Sequence, residues 1–269
     1  MLSQQSYVKE GKHAIMIGIY KETLQHIPAL IVVDAEKYNE ALPVHTYFHG
    51  YTSCKENQLH LAYRLAEKGY RVVLPDSRYH GDRTENLSQQ EVQVRFWQIV
   101  KENVSDLAII KEELERRDLL LDGRIGVGGT SMGGITTAAA LTQYDWIKAS
   151  TILMGSPKLV RLAEEMVEGI RTQGIEIPLT DEQLQKEVDS LRPYDLSLNM
   201  DRLQERPIFF WHGDKDPVVP YDHSYQFYND AIPSYRNPES IRFLTEVGRD
   251  HKVSTFAITE TAKWLEMHL

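Results

Sequence analysis

Short apolar runs alternate with longer amphipathic segments along most of the chain, and this alternation limits the possible folds more than any other feature. The apolar runs have the length of β-strands, and the segments between them carry apolar residues at helical spacing. The predicted strands cover residues 13–20, 28–34, 44–48, 71–74, 123–128, 149–154, 207–211 and 241–247. The predicted helices cover residues 56–68, 90–117 with a break allowed near Asn103, 132–143, 224–231 and 251–268.

This order predicts an α/β protein with a doubly wound, mostly parallel sheet. Only residues 21–27 separate the first two strands, which is too short for a crossover helix, so we expect these strands to pair antiparallel. Helices separate most of the later strands, and the right-handed crossover rule makes those strands parallel. A functional site is then expected at the carboxyl ends of the strands.

One stretch interrupts the alternation. Residues 156–206 are charged, carry a helical pattern and contain no strand run, although clear strand patterns precede and follow them. We interpret this stretch as a small helical cap inserted into a single domain that spans residues 1–269.

Composition and charge restrict the partners and the compartment. The net charge is −9 and no Lys/Arg run is sustained, which argues against nucleic acid or an anionic membrane surface as a partner. The apolar stretches fall far short of the roughly 20 residues that span a bilayer. Cys54 is the single cysteine, so it can form neither an internal disulfide nor a Cys-x-x-Cys site. Because the N-terminus lacks a secretory signal pattern, we expect a cytoplasmic protein.

Residues 129–133 form a Gly-x-Ser-x-Gly pentapeptide between a predicted strand and a predicted helix. A nucleophile elbow occupies this position in α/β folds, because its strained turn presents a serine at the end of the sheet. Gly129 and Gly133 provide the clearance that lets strand and helix approach closely. We therefore assign Ser131 as a nucleophile. The alternative is a glycine-rich turn with an incidental serine.

A nucleophilic serine needs a base, and in this fold an acid and then a histidine follow the serine in the chain. Asp216 follows the strand after the insertion, and His251 follows the last strand. We assign Asp216 as the acid that orients the imidazole, and His251 as the general base and later the general acid. Asp214 is the competing carboxylate, but its position after a glycine favours a turn. Asp250 is expected to cap a helix or to lie in a turn.

Two backbone N–H groups are expected to stabilise the oxyanion of a tetrahedral intermediate. One belongs to Met132, the residue after the nucleophile, and the other to Tyr51 in the loop after the third predicted strand. Gly50 is expected to permit the sharp turn in that loop.

Three residues are candidates for the wall of a substrate pocket. Tyr79 and His80 follow a strand end in segment 76–83, where Asp76 and Arg78 are expected to pin the loop, and Tyr194 lies in the insertion. The alternative for this region is a metal site, which no local ligand spacing supports. Its ligands would be His49, His80, His212, Asp76 and Asp82. We predict neither a metal nor another cofactor.

With these residues in place, the sequence resembles the α/β-hydrolase superfamily over nearly its whole length. Within it, the chain looks like the short-capped serine esterases allied to prolyl oligopeptidase and dienelactone hydrolase. The resemblance is carried by residues 49–51, 75–81, 129–134, 212–218 and His251. It implies an acyl-enzyme hydrolase with Ser131, Asp216 and His251 as its triad, and Tyr51 and Met132 as its oxyanion donors.

The departures from these relatives narrow the expected activity. Dienelactone hydrolases carry cysteine at the elbow, so Ser131 argues against that activity, and 269 residues leave no room for the propeller of prolyl oligopeptidases. We expect a serine carboxylesterase that hydrolyses small-molecule acyl esters. The alternatives are a peptidase or amidase of the same mechanism and a non-catalytic ligand-binding protein on the same fold.

Overall fold

The computed structural model describes residues 15–172, 174, 177 and 179–269, and its centre is an eight-stranded β-sheet. The strands are β1 (Ile17–Leu24), β2 (Ile27–Asp34), β3 (Leu42–Phe48), β4 (Arg71–Pro75), β5 (Leu120–Thr130), β6 (Ala149–Leu153), β7 (Ile208–Gly213) and β8 (Ile241–Glu246). The helices are α1 (Leu59–Ala66), α2 (Gln89–Gln93), α3 (Phe96–Arg116), α4 (Met132–Gln143), α5 (Leu159–Thr172), α6 (Asp181–Asp189), α7 (Tyr221–Ala231) and α8 (Thr255–His268). Each strand and helix that the sequence predicts has a counterpart among them.

The strands lie in the order β1-β2-β4-β3-β5-β6-β7-β8. β2 pairs antiparallel with β1 and β4, and all the other pairs are parallel, which confirms the mostly parallel sheet. β3 lies between β4 and β5, so the strand order changes direction there. A crevice forms at such a point, at the carboxyl ends of the strands.

Helices cover both faces of the sheet, as a doubly wound fold requires. α1 and α8 cover one face, where Leu65 and Trp264 are buried. α3, α4 and α7 cover the other face, where Val104, Ala139 and Phe227 are buried. Within the described part of the chain, no helix combines the length and the apolar character that crossing a membrane requires.

The chain between β6 and β7 adds α5 and α6 to the layer that contains α3 and α4. Leu159 of α5 and Val188 of α6 are buried in the core of that layer. Lys101 of α3 forms an ion pair with Glu187 of α6 at 2.9 Å. These contacts place the insertion beside α3, and its role as a cap over Ser131 stays a prediction.

The first hairpin is tighter than the sequence predicts. Residues 13–14 of the predicted first strand lie outside the described residues, and β1 continues past the predicted end at residue 20 to Leu24. Only Gln25 and His26 remain for the turn, and Gln25 takes a left-handed φ of 54°. The register pairs Leu24 with Ile27, so β1 includes the polar residues after residue 20. β1 is an edge strand whose side chains are mostly partly or fully exposed, so polar residues fit there.

The predicted helix 90–117 is divided, but the break is at residues 94–95 between α2 and α3 and not near Asn103. Asn103 lies inside α3 and is fully buried. Its side-chain amide donates a hydrogen bond to Oγ1 of Thr136 on α4 at 3.3 Å. This contact with a distant part of the chain satisfies the side-chain nitrogen of Asn103, whereas its Oδ1 has no hydrogen-bond partner within the described residues.

The last helix begins four residues later than predicted. Ser254 is its N-cap, and the Ser254 hydroxyl accepts the Ala257 N–H at 3.0 Å. Asp250 is therefore not a helix cap. It lies with His251 in the loop between β8 and α8.

His45 of β3 is buried against two glycines of the neighbouring strand. A Cβ atom on Gly128 would lie 2.8 Å from Nε2 of His45, and one on Gly126 would lie 3.0 Å from Nδ1. Neither ring nitrogen has a hydrogen-bond partner within the part of the chain that the structure describes. Burial lowers the pKa of His45 from 6.5 to about 3.

We expect His45 to make the protein less stable in acid. The unfolded imidazole takes up a proton as the pH falls through about 6.5, whereas the folded one does so only near pH 3. The free energy of unfolding should therefore decrease over this window by about 1.4 kcal/mol per pH unit. Replacing His45 with glutamine should remove this contribution between about pH 6 and 4. Urea unfolding at a series of pH values measures the slope, and equal slopes for the two proteins would contradict the expectation.

Candidate active site

Ser131 lies at the turn between β5 and α4 in a strained backbone conformation, with φ 55° and ψ −115°. Two glycines make the turn possible. A Cβ atom on Gly129 would lie 2.2 Å from the carbonyl carbon of Gly133, and one on Gly133 would lie 2.0 Å from the backbone oxygen of Phe48. Any larger residue would push α4 away from the strands, which agrees with the clearance expected from the sequence.

The structure brings together the three residues that the sequence assigns to a triad. Nε2 of His251 lies 2.8 Å from Oγ of Ser131, and Nδ1 of His251 lies 2.6 Å from Oδ2 of Asp216. The carboxylate can only accept, so Nδ1 carries the hydrogen and the lone pair of Nε2 faces the serine hydroxyl. The side chain of Asp216 is 0% exposed and that of His251 is 19% exposed.

Several donors keep the Asp216 carboxylate ionised. Burial raises its pKa, but hydrogen bonds from His212, His251 and the N–H groups of Val218 and Val219 outweigh burial and hold the pKa well below its usual range. The two backbone donors reach Oδ1 at 2.8 and 3.0 Å. The negative charge beside His251 is therefore available to stabilise an imidazolium during catalysis.

Asp214, the competing carboxylate, binds a backbone N–H group of the loop after β8. Its Oδ1 accepts the N–H of Gly248 at 2.5 Å. Asp214 therefore ties the loop after β7 to the loop after β8, and it is Asp216 that reaches His251.

The loop after β3 approaches the elbow closely enough to contribute to an oxyanion hole. A Cβ atom on Gly50 would lie 3.5 Å from Cβ of Ser131. The N–H of Ser53 donates to the Gly50 carbonyl at 3.1 Å, which closes a turn. The left-handed residue of this turn is Thr52, with φ 61°. Tyr51 belongs to this turn.

Met132 is the first residue of α4, so its N–H has no acceptor four residues earlier within the helix. Met132 directly follows Ser131, and the loop that contains Tyr51 approaches Ser131 at Gly50. Both expected N–H donors therefore belong to segments next to Ser131. The positive end of the α4 dipole also favours negative charge at this point.

Two histidines hold the loop after β3 through their acceptor nitrogens. Nε2 of His49 accepts the Ser77 N–H at 3.0 Å, and Nε2 of His80 accepts the Thr52 N–H at 3.1 Å. Burial lowers the pKa of His49 to about 4 and also lowers the pKa of His80. Both Nε2 lone pairs are occupied, and within the described residues no three His, Cys, Asp or Glu side chains converge as a metal site requires.

A buried ion pair that the sequence did not indicate joins the loops after β3 and β4. Nζ of Lys55 lies 2.6 Å from Oδ2 of Asp76 and 3.0 Å from Oδ2 of Asp82, and the Lys55 side chain is 1% exposed. Asp76 pins the loop as predicted, but its partner is Lys55, because Arg78 pairs with Glu85 at 2.9 Å. The sequence carries no signal for this pair, since Lys55 lies in a polar stretch that is typical of a solvated turn.

Of the three predicted pocket residues, Tyr79 fits the prediction best. Its side chain is half-buried and packs against the core cluster that contains Met132. His80 is only 5% exposed, and its ring nitrogens bond to the backbone of Arg78 and Thr52. His80 therefore uses both ring nitrogens to hold the backbone of the loops after β3 and β4.

Tyr194 lies next to a residue that contacts the far end of α4, and its place in the pocket stays a prediction. The neighbouring Pro193 carbonyl accepts a hydrogen bond from the side chain of Gln143 at 2.8 Å, at the last residue of α4. Ser131 lies at the other end of this helix, about 16 Å away at 1.5 Å per residue. This part of the insertion therefore contacts the C-terminal end of α4.

Comparison with known proteins agrees with the geometry. The family model for the prolyl oligopeptidase family matches residues 57–268. "Putative esterase YitV" of Bacillus subtilis (strain 168) is 45% identical over 256 residues, which cover 94% of this chain and 100% of that protein. "Esterase YjfP" of Escherichia coli (strain K12) is 27% identical over 263 residues, with 94% and 100% covered.

A solved structure supports the fold. The crystal structure of TT1662 from Thermus thermophilus superposes with a TM-score of 0.74 at 18% identity, and it covers 94% of this chain and 98% of that one. The family match covers more than half of the chain, and the relatives are named as esterases. The chain belongs to the prolyl oligopeptidase family, and it is a serine hydrolase with the α/β-hydrolase fold.

Proposed function

We propose that the protein is a serine carboxylesterase that hydrolyses small acyl esters through an acyl-enzyme. The observation that carries the proposal is the position of His251, whose two ring nitrogens lie 2.8 Å from Oγ of Ser131 and 2.6 Å from Oδ2 of Asp216. A neutral imidazole in this position can take the serine proton, and the carboxylate stabilises the cation that forms.

The first half of the reaction forms the acyl-enzyme. Oγ of Ser131 attacks the ester carbonyl while Nε2 of His251 accepts its proton. The N–H groups of Tyr51 and Met132 stabilise the oxyanion of the tetrahedral intermediate. When the intermediate collapses, the carbon–oxygen bond to the alcohol breaks, and His251 donates its proton to the leaving alkoxide.

The second half releases the acid. His251 removes a proton from water, and the resulting hydroxide attacks the acyl carbon of the ester on Ser131. A second tetrahedral intermediate forms in the same oxyanion hole. Its collapse restores the serine hydroxyl, which takes the proton back from His251, and frees the carboxylic acid.

Replacing Ser131 with alanine should reduce ester hydrolysis by about 10⁴-fold or more, because the acyl-enzyme can no longer form. Turnover of a short-chain chromogenic ester measures the effect, with circular dichroism to check folding. Ser105→Ala is the matched control, since Ser105 is exposed on α3 and, among the described residues, its hydroxyl bonds only to the Lys101 carbonyl. Undiminished hydrolysis by pure Ser131→Ala protein would disprove the proposal.

A pair of asparagine variants distinguishes the two carboxylates after β7. Asp216→Asn should lower kcat by about 10³- to 10⁴-fold, because the amide no longer fixes the hydrogen on Nδ1 of His251. Asp214→Asn removes the negative charge but keeps an amide oxygen that can accept the Gly248 N–H, so it should lower kcat by less than about tenfold. Steady-state kinetics on the same ester gives both values, and the reverse ranking would show that the acid is misassigned.

A matched ester and amide with the same acyl group separate an esterase from a peptidase. We expect a higher kcat/KM for the ester, because an alcohol leaves more readily than an amine and both curated relatives are named as esterases. An acyl-chain series then measures the preferred length. If the amide were hydrolysed at least as fast as the ester, the peptidase alternative would replace the proposed function.

A further inference from the structure

Asp216 is contacted by two histidines, although a Ser-His-Asp triad uses only one. Oδ2 of Asp216 lies 2.6 Å from Nδ1 of His251 and 3.1 Å from Nε2 of His212. His212 is the penultimate residue of β7, four residues before Asp216 in the chain. The N–H of Asp216 donates to the Gly213 carbonyl at 3.4 Å, and this turn brings the carboxylate within hydrogen-bond distance of Nε2 of His212.

The position of the hydrogen on His212 follows from its partners. Nε2 lies 3.1 Å from Oδ2 of Asp216 and 3.1 Å from the carbonyl oxygen of Val219. A carbonyl and an ionised carboxylate can only accept hydrogen bonds. Nε2 of His212 therefore carries a hydrogen, which it shares between the two oxygens.

His212 makes these polar contacts through Nε2 alone. The side chain is 1% exposed, and Nδ1 has no hydrogen-bond partner in the described part of the chain. The ring also packs edge-on against the Tyr221 ring, at a centroid distance of 5.8 Å. An apolar ring could fill this space equally well, so the contacts of Nε2 are what distinguish histidine here.

We propose that His212 is a positioning residue that fixes the rotation of the Asp216 carboxylate through Nε2. The N–H groups of Val218 and Val219 hold Oδ1, and His212 holds Oδ2 where Nδ1 of His251 meets it. With both oxygens held, the carboxylate keeps the His251 ring aligned with Ser131. This inference rests on the proposed function, because it concerns how the triad is held for catalysis.

The test combines two variants and two measurements. His212→Phe keeps a ring but removes the donor, and His212→Gln keeps an N–H donor on a flexible side chain. The measurements are the kinetics of ester hydrolysis and the rate constant with which a fluorophosphonate labels Ser131. The labelling rate requires an activated serine but no knowledge of the natural substrate. His223→Phe is the matched control, since His223 is also 1% exposed but contacts Ser156 and Glu165 instead of Asp216.

We expect His212→Phe to lower both kcat and the labelling rate by about 10- to 100-fold, the factor that corresponds to a lost hydrogen bond to a charged group. KM should change little, because His212 does not touch the substrate. His212→Gln should recover most of the lost rate, and His223→Phe should leave it unchanged. If His212→Phe does not fold, His212→Asn provides the same test, because its shorter amide does not reach Asp216.

A double-mutant cycle separates positioning of Asp216 from support of the Val219 loop. In an Asp216→Ala background, His212→Phe should cause no further loss of labelling rate, because the group that it positions is gone. An equal loss in both backgrounds would overturn the proposal and assign His212 to the loop. Equal rates for wild type and His212→Phe would also overturn it while leaving the proposed function intact. Absence of Ser131 labelling in the wild type would instead refute the proposed function itself.

Discussion

The close approach of α4 to the ends of β3 and β5 is the constraint on which the active site depends. At Gly133 a Cβ atom would lie 2.0 Å from the Phe48 backbone oxygen, so the helix can start at this place only without a side chain there. The approach forces Ser131 into its strained conformation and turns its hydroxyl toward His251. It also brings the first free N–H of α4 next to the loop after β3. The positions of Ser131 and of the two N–H groups proposed as oxyanion donors thus depend on one packing contact.

Three polar side chains around this contact are buried and stabilised by specific partners. Asp216 stays charged because four donors surround it, and Lys55 is neutralised by Asp76 and Asp82. His49 acts as a neutral acceptor, which its low pKa preserves. A buried charge without such partners would cost several kcal/mol. These partners join the loops at the strand ends to one another.

The sequence predicted the parts of the molecule that depend on local pattern and chain order. The strands follow from short apolar runs, and Ser131, Asp216 and His251 follow from a motif and the order of its partners. It did not predict groups whose state depends on distant contacts. Lys55 is buried because Asp76, 21 residues away, neutralises it. Asn103 lies buried inside α3, where its side-chain nitrogen donates a hydrogen bond to Thr136 of α4.

The acid and the base belong to one structural unit at the edge of the sheet. β7 and β8 pair along their whole length, and beyond them Asp214 binds the Gly248 N–H. Gly213 approaches Arg249 so closely that a Cβ atom would lie 2.4 Å from its carbonyl oxygen. The insertion enters before β7, where the Met154 N–H still donates to the Trp211 carbonyl at 2.8 Å. Sheet pairing therefore continues on both sides of the insertion and positions the loops that carry Asp216 and His251.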